Sequence, residues 1–112
     1  VKIAIPLTQG RLAAHFGHCE QFALVSVDPD TQIIQGKDII EAPPHQPGLL
    51  PLWLSERGVT IIIAGGMGQR ALQLFNQRGI QVIVGASSET PEKIINDYLQ
   101  GVLALGGNVC DH

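Results

Sequence analysis

The chain has 112 residues, 45% of them hydrophobic and 15% charged, with ten acidic against seven basic side chains and a net charge of −3. That is the length of one domain, with enough apolar content to build a core, and the acid surplus argues against a protein that holds DNA or RNA by its phosphates. No apolar run approaches the roughly 20 residues of a membrane-spanning helix, and the opening Val1-Lys2-Ile3-Ala4-Ile5-Pro6 is too short and strand-like for a secretory signal. The sequence lacks an initiator methionine, so trimmed ends are expected.

Lys2-Ile3-Ala4-Ile5-Pro6-Leu7 reads as a first strand, ended by Pro6 and the turn-like Thr8-Gln9-Gly10. Gln9 to Glu20 reads as a loop with room for a helical turn. Gln21 to Asp28 is a second strand, Asp28-Pro29-Asp30 a turn, and Thr31 to Glu41 a third strand with Gly36 as a bulge or bend. The second and third strands form a hairpin. After the rigid loop Ala42-Pro43-Pro44-His45-Gln46-Pro47-Gly48, the apolar spacing of Leu50, Trp53 and Leu54 predicts a helix over Leu49 to Arg57. Pro51 is tolerable there only in the first turn.

Two similar units follow. Arg57-Gly58-Val59-Thr60-Ile61-Ile62-Ile63-Ala64-Gly65 echoes Arg78-Gly79-Ile80-Gln81-Val82-Ile83-Val84-Gly85-Ala86, and such unbroken β-branched runs suit parallel strands buried on both faces. Gln69 to Gln77 between them reads as a helix with Ala71, Leu74 and Phe75 inward. Thr90-Pro91-Glu92 reads as an N-cap followed by proline and an acid, opening a last helix that Gly101 stops. Residues 103–112 are expected to be a flexible tail of this single domain, 1–112. Eight extended residues span roughly 26 Å and a ten-residue helix about 15 Å, so the tail is long enough to return along the last helix.

The order β-β-β-α-β-α-β-α with right-handed crossovers predicts a three-layer α/β/α fold. Its mixed five-stranded sheet has order 3-2-1-4-5, with strand 2 antiparallel, an arrangement that resembles the ribonuclease-H-like fold. The loops after strands 1, 3, 4 and 5 then open on one edge, where open α/β sheets bind ligands. Those loops carry the chemistry. Of four histidines, two cysteines and one methionine, five fall in His15-Phe16-Gly17-His18-Cys19 and Cys110-Asp111-His112. His45 and Met67 lie in proline- or glycine-rich loops.

His15, His18 and Cys19 are spaced so that a turn of helix would put them on one face, and imidazole with thiolate suits zinc, copper(I) or iron–sulfur species. The alternative is a surface loop that happens to hold two histidines and a partly buried cysteine. Gly65-Gly66-Met67-Gly68 joins a buried strand to a helix and offers backbone N–H groups to an anion, with Arg70 one turn in. The alternative is a tight turn, with Met67 filling a gap. Arg11 is a second anion contact or simply a solvated charge. His45 is a donor or a purely conformational residue, and Cys110 and His112 are secondary donors. Catalysis is not expected. Strand 1 has no carboxylate to hold magnesium, and Asp28, Asp30 and Asp38 lie toward the opposite edge. Two cysteines make no disulfide framework, so a reduced, cytoplasmic setting is the default.

Together these segments resemble the dinitrogenase iron-molybdenum cofactor biosynthesis family. The resemblance is carried by Lys2-Ile3-Ala4-Ile5-Pro6, His15-Phe16-Gly17-His18, Phe22, Pro44-His45-Gln46-Pro47-Gly48, Gly65-Gly66-Met67-Gly68-Gln69-Arg70-Ala71 and Gly79-Ile80-Gln81-Val82-Ile83-Val84-Gly85-Ala86. Asn108-Val109-Cys110-Asp111-His112 is similar to the tail of one subgroup. The resemblance implies a ribonuclease-H-like fold without nuclease activity. It implies non-catalytic binding, storage or delivery of a metal-sulfide cluster, molybdenum with iron or copper. It also implies action with a partner ATPase or cofactor-assembly proteins. Two other readings remain open from the residues, a simple zinc or copper site and a regulatory protein–protein adaptor. A monomer or weak dimer is expected.

Overall fold

The computed structural model describes residues 1–44, 46 and 48–106. In chain order the elements are β1 (Lys2–Thr8), β2 (Arg11–Leu12), a 3-10 turn (Phe16–His18), β3 (Gln21–Val27), β4 (Ile34–Glu41), α1 (Leu49–Glu56), β5 (Ile61–Ile63), α2 (Gln69–Gln77), β6 (Gln81–Ile83) and α3 (Pro91–Gln100). Five strands lie side by side as β4-β3-β1-β5-β6, with β2 attached to β1. β3 runs antiparallel to both neighbours, while β1, β5 and β6 are parallel. The mixed α/β architecture is therefore as expected, but the sheet has six strands rather than five. The sixth, β2, lies in the stretch read as loop and folds back on the end of β1, with Leu7 opposite Leu12 and Thr8 opposite Arg11.

Side-chain alternation divides the core in two. Ala4, Phe22, Leu24 and Ile62 point to one face of the sheet, where α1 supplies Leu50 and Leu54 and α2 supplies Phe75. Ile3, Ile5, Ala23, Val25 and Ile63 point to the other, where α3 supplies Ile94 and Ile95. Strands one residue out of phase serve opposite cores because the side-chain period is two. Central β1 is buried on both faces along its middle five residues, which accounts for its unbroken apolar run.

Three local expectations are corrected. Pro6 does not end the first strand. It pairs with Phe22 on the β3 side, and its carbonyl accepts from Ala13 N–H at 2.8 Å. The β1–β5 ladder stops at Ala4 and Ile62, so the N–H that proline lacks falls where no parallel neighbour needs it. The third strand begins at Ile34 rather than Thr31, because the hairpin turn consumes the residues between. The Asp28 carboxylate accepts from the N–H groups of Asp30 and Thr31, and Asp28 C=O accepts from Gln32 N–H. A register shift then sets Ser26 opposite Gly36 and Val27 opposite Ile34, which places the bulge beside Gly36 as expected. Residues 103–106, read as the start of a flexible tail, return to the sheet. Leu103 packs on the α3-side core and Leu105 bridges Ala86.

The helices follow their sequence signals. α3 opens with Thr90, whose hydroxyl accepts from Lys93 N–H at 3.4 Å, and has Pro91 and Glu92 in the first turn. A Lys37–Glu92 ion pair ties β4 to α3, and the Arg57 guanidinium lies 3.9 Å above the Trp53 ring. Leu54 is completely buried whereas Leu52 on the same helix is 36% exposed. Leu54→Ala should cost about 2–5 kcal/mol by cavity formation and Leu52→Ala less than about 1 kcal/mol, measured by urea denaturation. Equal losses would mean that α1 does not pack on this face.

Candidate functional site

The carboxyl ends of the parallel strands form a rim on which three loops are joined by main-chain hydrogen bonds. The first loop, between β1 and β3, is held to the loop after β5 by Phe16 N–H donating to Gly66 C=O at 2.9 Å. The loop after β5 is held to the loop after β6 by Gly85 N–H donating to Gly65 C=O at 2.8 Å. The first loop is also bonded directly to the chain after β6, through Leu12 N–H to Glu89 C=O at 2.9 Å. Phe16 adds an aromatic anchor, 5.4 Å from the Phe75 ring in an edge-on contact and 6.2 Å from Phe22.

Gly65 makes this closure possible. A Cβ there would stand 3.0 Å from the Ala13 carbonyl oxygen and 3.1 Å from that of Ala14, so the first loop lies directly on bare backbone. Gly65, Gly66 and Met67 are buried and Gly68 is half-buried. The Met67 side chain has no exposure and belongs to the same core cluster as Phe16 and Phe75. Its contribution to the rim is therefore main chain, and its thioether fills the core. α2 starts immediately after Gly68, so the loop feeds the positive end of a helix dipole. Arg70, the second residue of α2, is exposed.

His15 and Cys19 flank the 3-10 turn rather than share a face of an α-helical turn. His15 is extended, with φ −124° and ψ 122°, and Cys19 is extended, with φ −72° and ψ 150°. His18 lies within the turn by its backbone. His15 is exposed and lines an open pocket of about 460 Å³ shared with Thr8, Gln9, Arg11 and Ser88. Arg11 Nη1 donates to Ser88 C=O at 3.3 Å, and Ser88 Oγ donates to Leu12 C=O at 2.8 Å. Sequence reasoning gave Ser88 no role in the site. The visible signal was its position between the last buried strand and the Thr90 cap.

Cys19 does not line that pocket. It is half-buried against the core cluster that holds Phe16 and Met67, with its N–H directed to Phe16 C=O at 3.4 Å. Burial pushes its thiol up to about 11, with an opposing contribution from a backbone hydrogen bond. A thiol so protonated is a poor nucleophile at neutral pH; it becomes a thiolate readily only beside a metal. His45, Cys110 and His112 lie outside the described residues. Among the described residues no group of three or more His, Cys, Asp or Glu side chains is placed to hold a metal ion.

Two outcomes follow from this geometry. Gly65→Ala should lower stability by about 1–3 kcal/mol through overpacking, while Gly36→Ala, which meets nothing within 4 Å, should change it by less than about 0.5 kcal/mol. In a Cys110→Ser background, Cys19 should alkylate roughly 100-fold more slowly at pH 7 than a thiol of ordinary acidity, since its value rises from 9.0 to about 11. The rate should climb about tenfold per pH unit toward that value. A rate that levels off below pH 9 would contradict the burial of this thiol.

Comparison with known proteins places this rim in context. The family model described as dinitrogenase iron-molybdenum cofactor matches residues 1–101. The uncharacterized protein MJ0580 of Methanocaldococcus jannaschii is 34% identical over 108 residues, covering 92% of this chain and 89% of its own. The crystal structure of PH0822 superposes with a TM-score of 0.86 at 26% identity, covering 94% of each chain. The apo form of the orange protein from Desulfovibrio gigas superposes with a TM-score of 0.69 at 20% identity, covering 96% of this chain and 93% of that one, a likeness of fold. With the family model covering nearly the whole domain and a relative above 30% identity, the chain belongs to the dinitrogenase iron-molybdenum cofactor family.

Proposed function

We propose that the protein is a non-catalytic carrier that binds, stores or delivers a metal or metal-sulfide cluster at the carboxyl rim of its sheet, within a ribonuclease-H-like framework. The observation that carries this reading is the bond from Phe16 N–H to Gly66 C=O. It sets the His15-to-Cys19 segment beside the diglycine loop, so that soft donors and a glycine-rich backbone share one edge. His15, His18 and Cys19 are the primary donors, and His45, Cys110 and His112 the secondary ones. Gly65, Gly66, Met67 and Gly68 supply the backbone seat, with Arg11 and Arg70 as cationic neighbours.

The donor chemistry fits a cluster better than a lone ion. A metal sulfide is an anion and carries much of its own coordination, so a few side-chain donors, main-chain N–H groups and guanidinium charge can hold it. The family's iron-molybdenum cofactor description favours molybdenum with iron, and the resemblance noted from the sequence also admits molybdenum with copper. A bare zinc or copper site remains the simpler alternative.

A protein partner forms a second reading, favoured by β4. This edge strand is exposed along almost its whole length, and Ile33, Ile34 and Ile39 are 63%, 42% and 45% exposed. An ATPase or cofactor-assembly protein would be the partner to which cargo passes.

Protein purified without oxygen from a host that assembles such clusters should absorb visible light and contain molybdenum with iron or copper. A zinc protein would be colourless. His15→Ala and Cys19→Ala should each remove most of the colour and metal while leaving the circular dichroism of the fold intact. Unchanged metal content in both variants would overturn the donor assignment.

A further inference from the structure

Among the described residues β4 has β3 as its only strand neighbour, so Ile34–Glu41 presents an open main-chain edge. One bond fixes which way each peptide group on it points. Ala42 N–H donates to Glu20 C=O at 3.0 Å, and residues along an antiparallel ladder alternate between bonding that neighbour and facing away from it. Ile40 and Asp38, opposite Phe22 and Leu24, therefore bond β3, whereas Lys37, Ile39 and Glu41 turn N–H and C=O outward. Pairing is regular over this stretch, because the register shift lies at Ser26 and Val27, beyond Gly36. The three outward residues also share one face of the strand. It is the α3 side, where Lys37 pairs with Glu92 and Ile39 is 45% exposed. A lysine on an edge strand ordinarily guards against pairing, but here a glutamate follows it at Glu41 on the same face.

We propose that β4 is a dimerisation edge, pairing antiparallel with β4 of a second copy of this chain in the register centred on Ile39. Two-fold symmetry limits the choice, because an axis perpendicular to the sheet sets one residue against its own copy. Centring on Lys37 or Asp38 brings like charges face to face. Centring on Gly36 sets Gln35 against Lys37, and centring on Ile40 sets Ile39 against Glu41, so neither joins opposite charges. Centring on Ile39 sets Lys37 opposite Glu41 on both sides of the axis, with Ile39 against its copy between them. Opposite charges and apolar pairs directly across a ladder both stabilise it. The same register matches the outward peptide groups, for three residue pairs each exchanging two bonds give roughly six new main-chain hydrogen bonds. It would end where Pro43, which has no N–H, comes opposite Gln35. Gln21 Nε2 donates to Glu41 Oε1 at 3.1 Å and holds that carboxylate along the strand. A contact this short gives a dimer that depends on concentration. The proposal is independent of the cargo reading, and it assigns to a second copy the edge that the partner reading leaves to another protein.

Sedimentation equilibrium of the reduced full chain over graded concentrations tests this. The average mass should climb from that of one chain toward that of two. Hydrogen exchange should show the amides of Lys37, Ile39 and Glu41 gaining protection as it does so. Ile39→Lys, which places two lysines on the axis, should leave the chain monomeric. Lys37→Glu and Glu41→Lys should each raise the dissociation constant roughly tenfold or more, since two attractive cross-strand pairs become repulsive. The double variant should re-form the dimer, and so should an equimolar mixture of the two single variants, in which every pair again joins opposite charges. Circular dichroism checks that each variant is folded. An unaltered chain that stays monomeric throughout would overturn the proposal and leave β4 to a partner of another kind. A dimer that persists in Ile39→Lys would overturn its placement on this edge. Failure of the double variant or of the mixture to re-form the dimer would overturn the register.

Discussion

Phe16 N–H has one place to go once the first loop is laid over the sheet, and that is the carbonyl of Gly66. The arrangement of the rim depends on this bond and on the bare Gly65 beneath it. A buried main-chain donor without an acceptor costs on the order of 1–3 kcal/mol, so the loop cannot lift without exposing or orphaning it. With the bond made, Phe16 packs on Phe75 and Phe22, His15 faces outward and Cys19 faces the core. The outward imidazole and the inward thiol are thus set by the same short turn.

The sheet beneath supplies what the loops need. Because β1, β5 and β6 are parallel, their following loops emerge together and bring main chain from all three to one end of the sheet. The antiparallel β3–β4 hairpin extends the other side and leaves β4 largely in solvent. Division into two cores by strand alternation lets α1 and α2 settle on one side and α3 on the other. The chain after α3 then starts from that side, and Leu105 returns to pair with Ala86.

Much of this was legible in the sequence, for identifiable reasons. The repeated Arg-Gly runs announced β5 and β6 through their consecutive β-branched residues, but only β5 is buried as expected, whereas β6 at the sheet edge is half-buried with Gln81 exposed. The bounds of α2 and the Thr90-Pro91-Glu92 start of α3 were written in local chemistry. Pro6 misled because its missing donor matters only where a neighbour needs it, a fact of sheet register rather than of proline. Residues 31–33 misled because Asp28 uses its carboxylate to organise a longer turn. The short β2 and the return of Leu105 could not be read, because both depend on contacts between remote segments. The spacing of His15, His18 and Cys19 suggested a common helical face, whereas His15 and Cys19 are the extended flanks of a 3-10 turn.

The depth at which Cys19 sits also bears on how this sulfur meets oxidants. Oxidants attack the thiolate, and a thiol held protonated by its apolar surroundings presents little of it. The burial that holds this thiol protonated therefore also slows its oxidation, whereas an exposed cysteine of ordinary acidity in the same loop would be the first atom that an oxidant reached.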